Sequence, residues 1–165
     1  MVFHETEVAG DGEKGRPDPR RIPAPLVTFP AVDAETARAR LAGARVGRLG
    51  TVTAEGRPHL VPVCFVVAGE WIYTAVDAKP KSTLRLRRLD NVRAHPEVSL
   101  LVDHYDEDWD DLWWVRADGT AHVRESGAER DDAVVALAAK YPQYRAAAPP
   151  GPVIAVAVGA WRWWP

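Results

Sequence analysis

VGRLGTVTAEGRPHLVPVCFVVAGEWIYTA, residues 46–75, alternates apolar and polar positions with a period of two. That is the period of a half-buried strand. Turn residues cut the run twice. The spacing predicts a strand over Val46–Thr53, a turn at Ala54–Arg57 with Gly56 supplying a positive φ, and a second strand over Leu60–Val67. Ala68-Gly69-Glu70 makes a second turn, and Trp71–Ala75 a third strand. Three strands joined by short turns form a β-meander. Pro62 falls inside the second strand, where its ring removes a ladder donor. It suits an edge strand, or one whose neighbour is a ligand, and a buried structural proline is the competing account.

Upstream, Asp33 can cap a helix over Ala34–Ala42, with Glu35 in its first turn and Gly43 closing it. Residues 1–30 carry Gly, Pro and charge without hydrophobic periodicity and are expected to be a flexible leader, with the folded domain at 31–165. Downstream, Lys79, Pro80, Lys81, Ser82 and Thr83 lead into an expected basic helix over Ser82–Leu89, which His95-Pro96 breaks. Val98–Val102 is a strand, Asp103–Asp111 an acidic loop, and Leu112–Val123 a long strand with a bulge or turn at Asp118-Gly119. Ser126 and Glu129 have the spacing of a capping box, opening a helix to about Lys140 with an apolar stripe of Val134, Leu137, Ala138 and Tyr141. A proline-rich loop precedes a last strand, Val153–Val158, and the tail Trp161, Trp163, Trp164. Six or more short strands with two or three helices predict a mainly β, barrel-like α+β domain.

A chain of 165 residues can bury a core without disulfides. The one cysteine, Cys64, sits in an apolar run, which fits a core thiol in a reducing compartment. Met1–Pro30 has no apolar segment of signal-peptide type, and no run is long enough to span a membrane. A net charge of −2 argues against general attraction to nucleic acid or membrane. Basic residues are nonetheless concentrated over Lys79–Arg93, opposed only by Asp90. Two lysines and two hydroxyls at a helix start, with its free N–H groups and positive dipole end, have the chemistry of a phosphate corner. Solvated loop lysines are the plain alternative.

The residues 46–52 and 56–63, then Tyr73-Thr74 with Lys79-Pro80-Lys81-Ser82-Thr83-Leu84, then Arg93-Ala94-His95-Pro96 and 98–102, and Trp113–Ala121, carry a resemblance. The chain resembles the pyridoxamine 5′-phosphate oxidase-like split β-barrel superfamily, and looks closest to its probable coenzyme F420-dependent oxidoreductases of actinobacteria. The resemblance implies an FMN-binding-like split barrel of six to seven antiparallel strands with peripheral helices. It implies a cytoplasmic homodimer with a cofactor groove at the subunit interface. The cofactor would be coenzyme F420, a deazaflavin, or alternatively FMN. Carried over by position, Lys79, Lys81, Ser82 and Thr74 would hold the phosphate, and Val61, Pro62 and Val63 would run along the ring. Trp113 or Trp114 would close the groove from the partner. The activity implied is hydride transfer to a small organic acceptor. The alternatives are an FMN-dependent oxidase or flavin reductase, and a non-catalytic cofactor or tetrapyrrole carrier.

Other features rank lower. Arg85, Arg87 and Arg88 are weaker anion ligands, with one of the three expected to face the groove. The acidic loop lacks EF-hand spacing and reads as a solvated loop, and the histidines lack metal-ligand spacing, so no metal site is assigned. His59 is the histidine to watch, since it begins the strand that follows the ring in the family. No Ser-His-Asp arrangement is legible, which suits a cofactor that carries the chemistry itself. The seven tryptophans include two adjacent pairs, Trp113-Trp114 and Trp163-Trp164. Alternation along a strand sends the members of each pair to opposite faces.

Overall fold

The computed structural model describes residues 32–77 and 86–164. The leader at 1–30, and Lys79, Lys81 and Ser82, lie outside the described residues. The elements run α1 (Ala34–Gly43), β1 (Gly47–Val52), β2 (Pro58–Val63), β3 (Val66–Ala68), β4 (Trp71–Ala75), α2 (Arg87–Ala94), β5 (Glu97–His104), β6 (Trp113–Arg124), α3 (Ala128–Lys140), α4 (Pro142–Ala146) and β7 (Val153–Trp164). No described helix is long and apolar enough to cross a membrane.

All seven strands lie in one antiparallel sheet, ordered β2-β1-β5-β6-β7-β4-β3. The second predicted strand, Leu60–Val67, is in fact two. It breaks at Cys64-Phe65, so β2 and β3 occupy opposite edges of the sheet. Two linking residues can bridge only about 10 Å. The sheet must therefore curl until its edges meet, which is the geometry of a split barrel. Tyr141 sits at that seam. Its hydroxyl accepts the Phe65 N–H at 3.0 Å and has the carbonyls of Phe65 (2.8 Å) and Arg45 (3.0 Å) as acceptors. The strand break leaves backbone groups without a ladder, and one buried side chain satisfies them.

The core fills the inside of the curl with Leu49, Leu100, Val102, Val115, Ala117 and Phe65. Smaller clusters join Leu137, Tyr141 and Tyr144, and Ala133, Val134 and Val153. Trp113 and Trp163 pack on the core, while Trp114 pairs with Trp164 on the other face, as strand alternation requires. The bulge expected at Asp118-Gly119 is present, with the register slipping across β7 so that Gly159 is the extra residue. Gly119 is required there, because a Cβ would collide with the Ala157 carbonyl.

Four local expectations are corrected. The basic helix does not begin at Ser82, because Leu86 is extended (φ −90°, ψ 111°) and α2 starts at Arg87. The capping box does not form. Gly127, at φ 99°, is the cap of α3, and Glu129 instead takes a hydrogen bond from Arg124 Nε at 2.6 Å. The last strand runs on through the aromatic tail to Trp164, because β6 pairs with it along its length. Among the described residues the α-helices number four rather than two or three, since Pro142 opens a further short one.

Lys140, at the end of α3, carries a prediction about stability. Its ammonium donates to the Ala42 carbonyl at 2.7 Å and lies 4.2 Å from the centre of the Phe65 ring. Burial, with Arg45 adding to it, lowers its pKa from 10.5 to about 8. Between those values the unfolded chain holds a proton that the native protein does not. Stability should therefore rise as pH increases through that window, and be lower below it. Lys140 is half-exposed, so solvent screening cuts the effect to the order of 1 kcal/mol. Burial raises the Tyr141 and Tyr144 hydroxyls, which works against stability at still higher pH. Urea titrations at pH 7.5 and 9.5 should show the rise, and Lys140→Met should flatten it.

Candidate functional site

Where the seam between β2 and β3 meets the head of α2, the described residues enclose a cavity of about 210 Å³. Pro62 and Val63 bring it the end of β2, and Thr74 and Ala75 the end of β4. Asp77, Arg88 and Tyr144 complete the polar part of its wall. Three of the nine residues expected to bind cofactor thus meet in one place. The segment holding Lys79, Lys81 and Ser82 leaves the described structure just after Asp77 and rejoins it at Leu86.

Two features of the cavity bear on what it can hold. Thr74, 95% buried, brings it a hydroxyl from the end of β4. Arg88 stands in the first turn of α2, whose start has no side-chain cap. The positive dipole end of α2 lies there. Burial pulls the Arg88 guanidinium below its ordinary value, and the nearby Asp77 carboxylate works the other way. A half-buried guanidinium at an uncapped helix start is matched to a phosphate or carboxylate. Arg87, beside it, is exposed. Of the three arginines expected to supply one that faces the groove, Arg88 rather than Arg87 lines the cavity, and Arg85 lies outside the described residues.

Cys64 was expected in the core but is half-buried and lines the cavity, because the strand break turns it there. Burial, followed by the Cys64 contact, raises the Tyr144 hydroxyl well above its usual value, so it stays a neutral donor. Pro62 is exposed on the outer edge of the sheet, as an edge proline should be.

A second hollow, open and about 770 Å³, lies across β2, β1, β5, β6 and β7. Pro58, His59 and Leu60 form its β2 side. Leu60, Gly50, Ser99, Asp118 and Ala160 stand in one cross-strand row, and the small residues in that row leave the sheet hollow. The edge strand β2 therefore links cavity and hollow. Pro62 to His59 is three residues, about 10 Å. Val61 packs against the main core from this strand.

Trp113 and Trp114 are not brought to the cavity of their own protomer. Thr74 lies level with Ile154 and Val123, while Trp114 is nine residues further along β6, roughly 30 Å away. Trp113 stacks on His104 at 5.9 Å and lies under Arg40 at 5.3 Å.

The pyridoxamine 5′-phosphate oxidase family pattern matches residues 33–165. The chain belongs to that family. Solved structures agree on the fold. A conserved hypothetical protein from Mycobacterium tuberculosis superposes with a TM-score of 0.65 at 22% identity, over 84% of this chain and 87% of that one. An FAD-binding protein from Mesorhizobium loti gives 0.56 at 20% identity, over 80% and 92%. The haem storage protein HutZ from Vibrio cholerae gives 0.59 at 14% identity, over 77% and 91%. No curated protein matches the chain. The same fold thus occurs in an FAD-binding protein and in a haem storage protein.

Proposed function

We propose that this member of the pyridoxamine 5′-phosphate oxidase family is an oxidoreductase. It would hold a phosphorylated flavin-type cofactor, coenzyme F420 or FMN, and pass hydride to a small organic acceptor. The observation that carries it is the half-buried Arg88, at the start of α2 without a side-chain cap, lining one cavity with the buried Thr74. Arg88, Thr74 and the first N–H groups of α2 would receive the phosphate, joined by Lys79, Lys81 and Ser82 from the neighbouring segment. Val61, Pro62 and Val63 would lie along the ring, whose far end would reach the hollow beside His59 and Leu60. A bound cofactor of this class supplies the hydride chemistry. The protein's part is to orient it, exclude water and compensate charge.

The hollow is too open to cover a ring from one chain. We place a second copy over it, with Trp113 or Trp114 of that copy closing the groove. Support comes from Leu60, 66% exposed on an edge strand, and from the Trp114–Trp164 pair on the outward face. Sedimentation at micromolar concentration should give a dimer, and a monomer would remove the shared groove.

Parallel titrations with coenzyme F420, FMN and haemin, followed by tryptophan quenching, test the cofactor. Preference for the deazaflavin or for FMN decides between the two redox forms. Binding of haemin alone would convert the assignment to a tetrapyrrole carrier.

A further inference from the structure

The barrel interior is almost wholly apolar, and only three polar residues are buried among those described: Thr51, Thr74 and Asn91. Thr74 belongs to the cavity. Thr51 and Asn91, each 3% exposed, belong to something else. Asn91 Nδ2, from α2, donates to Thr51 Oγ1 at 2.9 Å. Across the β1–β2 ladder, Thr51 Oγ1 lies 3.3 Å from His59 Nδ1 and 3.3 Å from the His59 carbonyl oxygen. His59 in turn lines the open hollow.

A hydroxyl has one proton and two lone pairs. If His59 Nδ1 were bare, Thr51 would have to donate to it and would forgo the carbonyl. If Nδ1 carries the proton, all three bonds form together. Asn91 and His59 Nδ1–H both donate to Thr51, and Thr51 donates to the His59 carbonyl. Only with the proton at Nδ1 does the one hydroxyl serve all three contacts.

We infer that Asn91 and Thr51 lock the Nδ1 proton of His59, so that Nε2 alone exchanges a proton at the edge of the hollow. Neutral His59 then offers a lone pair at Nε2, and protonated His59 offers a donor at the same atom. Thr51 and Asn91 are positioning residues in this arrangement. His59 is the proton partner for an acceptor bearing a C=O or C=N group. The proton-transfer role rests on the cofactor assignment above, but the locked tautomer does not.

The step balances as a two-electron reduction. A bound reduced flavin-class cofactor would supply the hydride that becomes the new C–H bond at the acceptor carbon. The C=X π bond breaks, and X takes the proton from His59 Nε2, leaving neutral imidazole. Solvent returns the proton. The charged groups on the surrounding elements are Glu97 on β5, Asp118 on β6 with its partner Arg116, Glu55 and Arg57 in the β1–β2 turn, and Arg87 on α2.

Long-range proton–nitrogen NMR on the cofactor-free protein tests the lock. Neutral His59 should carry its proton at Nδ1. Thr51→Ser should keep that state, and Thr51→Val should release the ring to the other tautomer. A neutral His59 protonated at Nε2 in the wild type, or a tautomer unmoved by Thr51→Val, would overturn the proposal. His59→Asn keeps a donor in the place of Nδ1–H and removes Nε2. With chemically reduced FMN as donor and a cyclic imine as acceptor, it should lower kcat about 100-fold with little change in KM. Unchanged kcat with FMN still bound would sink the proton role and leave the cofactor assignment standing. A locked tautomer in a protein that binds neither FMN nor coenzyme F420 would instead overturn the cofactor assignment, and the proton role with it.

Discussion

Tyr141→Phe is expected to lose about 2–4 kcal/mol of stability, the largest effect of any one-atom deletion in the molecule. The hydroxyl accepts the Phe65 N–H and donates towards the Phe65 and Arg45 carbonyls, with Tyr141 itself 2% exposed. Deleting it orphans a buried donor and at least one acceptor, at about 1–3 kcal/mol each. No β-ladder can take over, because the chain at Phe65 belongs to neither edge strand. The ring should stay in place, held by Tyr144 at 5.6 Å and by Arg45 at 4.6 Å. Chemical denaturation should show a lower midpoint with an unchanged slope, since the surface exposed on unfolding is the same. A loss below about 0.5 kcal/mol would mean that water enters the seam and replaces the hydroxyl. Because the seam borders the cavity, cofactor affinity should fall with stability. Thr74→Val, by contrast, should weaken binding and leave the fold intact.

This seam also shows where sequence reasoning stops. The alternation over 46–75 predicts strands, and strands are there. Period-two patterning reports which face of a strand is buried, but not which strand it pairs with. Leu60–Val67 therefore looked continuous. What divides it is a tyrosine hydroxyl more than seventy residues away in the chain, and no local signal announces that contact. The capping box failed for a related reason: Arg124, at the end of β6, takes the Glu129 carboxylate that the box needs. Pro62 was legible because a missing donor is a local property, and the tryptophan pairs because alternation is.

The candidate site divides in the same way. Thr74, Pro62 and Val63 were identified from family pattern and converge in space. Cys64 was placed in the core because its neighbours are apolar, but side-chain direction at a strand break does not follow neighbours. Asn91 and Thr51 drew no attention, because a short polar side chain in a helix or strand is ordinary until its burial is known. Arg88 was ranked low because three arginines lie within four positions. Its selection needed the true start of α2, and the expected helix began five residues too early.

Arg88→Ala is accordingly expected to have the largest effect on ligand binding. If the guanidinium meets the phosphate, its loss removes charge-assisted hydrogen bonds in a partly desolvated place, about 2–3 kcal/mol or roughly 30- to 150-fold in Kd. Arg87→Ala, one residue away but exposed, should change Kd by less than about twofold. Arg88→Lys should recover part of the affinity, since an ammonium restores the charge but not the fork. Stability should change little or rise slightly, because burial disfavours the Arg88 cation in the empty site. The decisive comparison is between FMN and riboflavin, which differ only by the phosphate. Wild type should prefer FMN strongly, and Arg88→Ala should bind the two nearly alike. If Arg88→Ala weakened both ligands equally, Arg88 would be supporting the cavity wall rather than holding phosphate. The anion contact would then fall to Lys79 and Lys81. Lys81→Ala should in any case cost about 1.5–3 kcal/mol if that lysine shares the phosphate, and a double substitution with Arg88 should show whether the two act on one group, since partners on a shared ligand are non-additive.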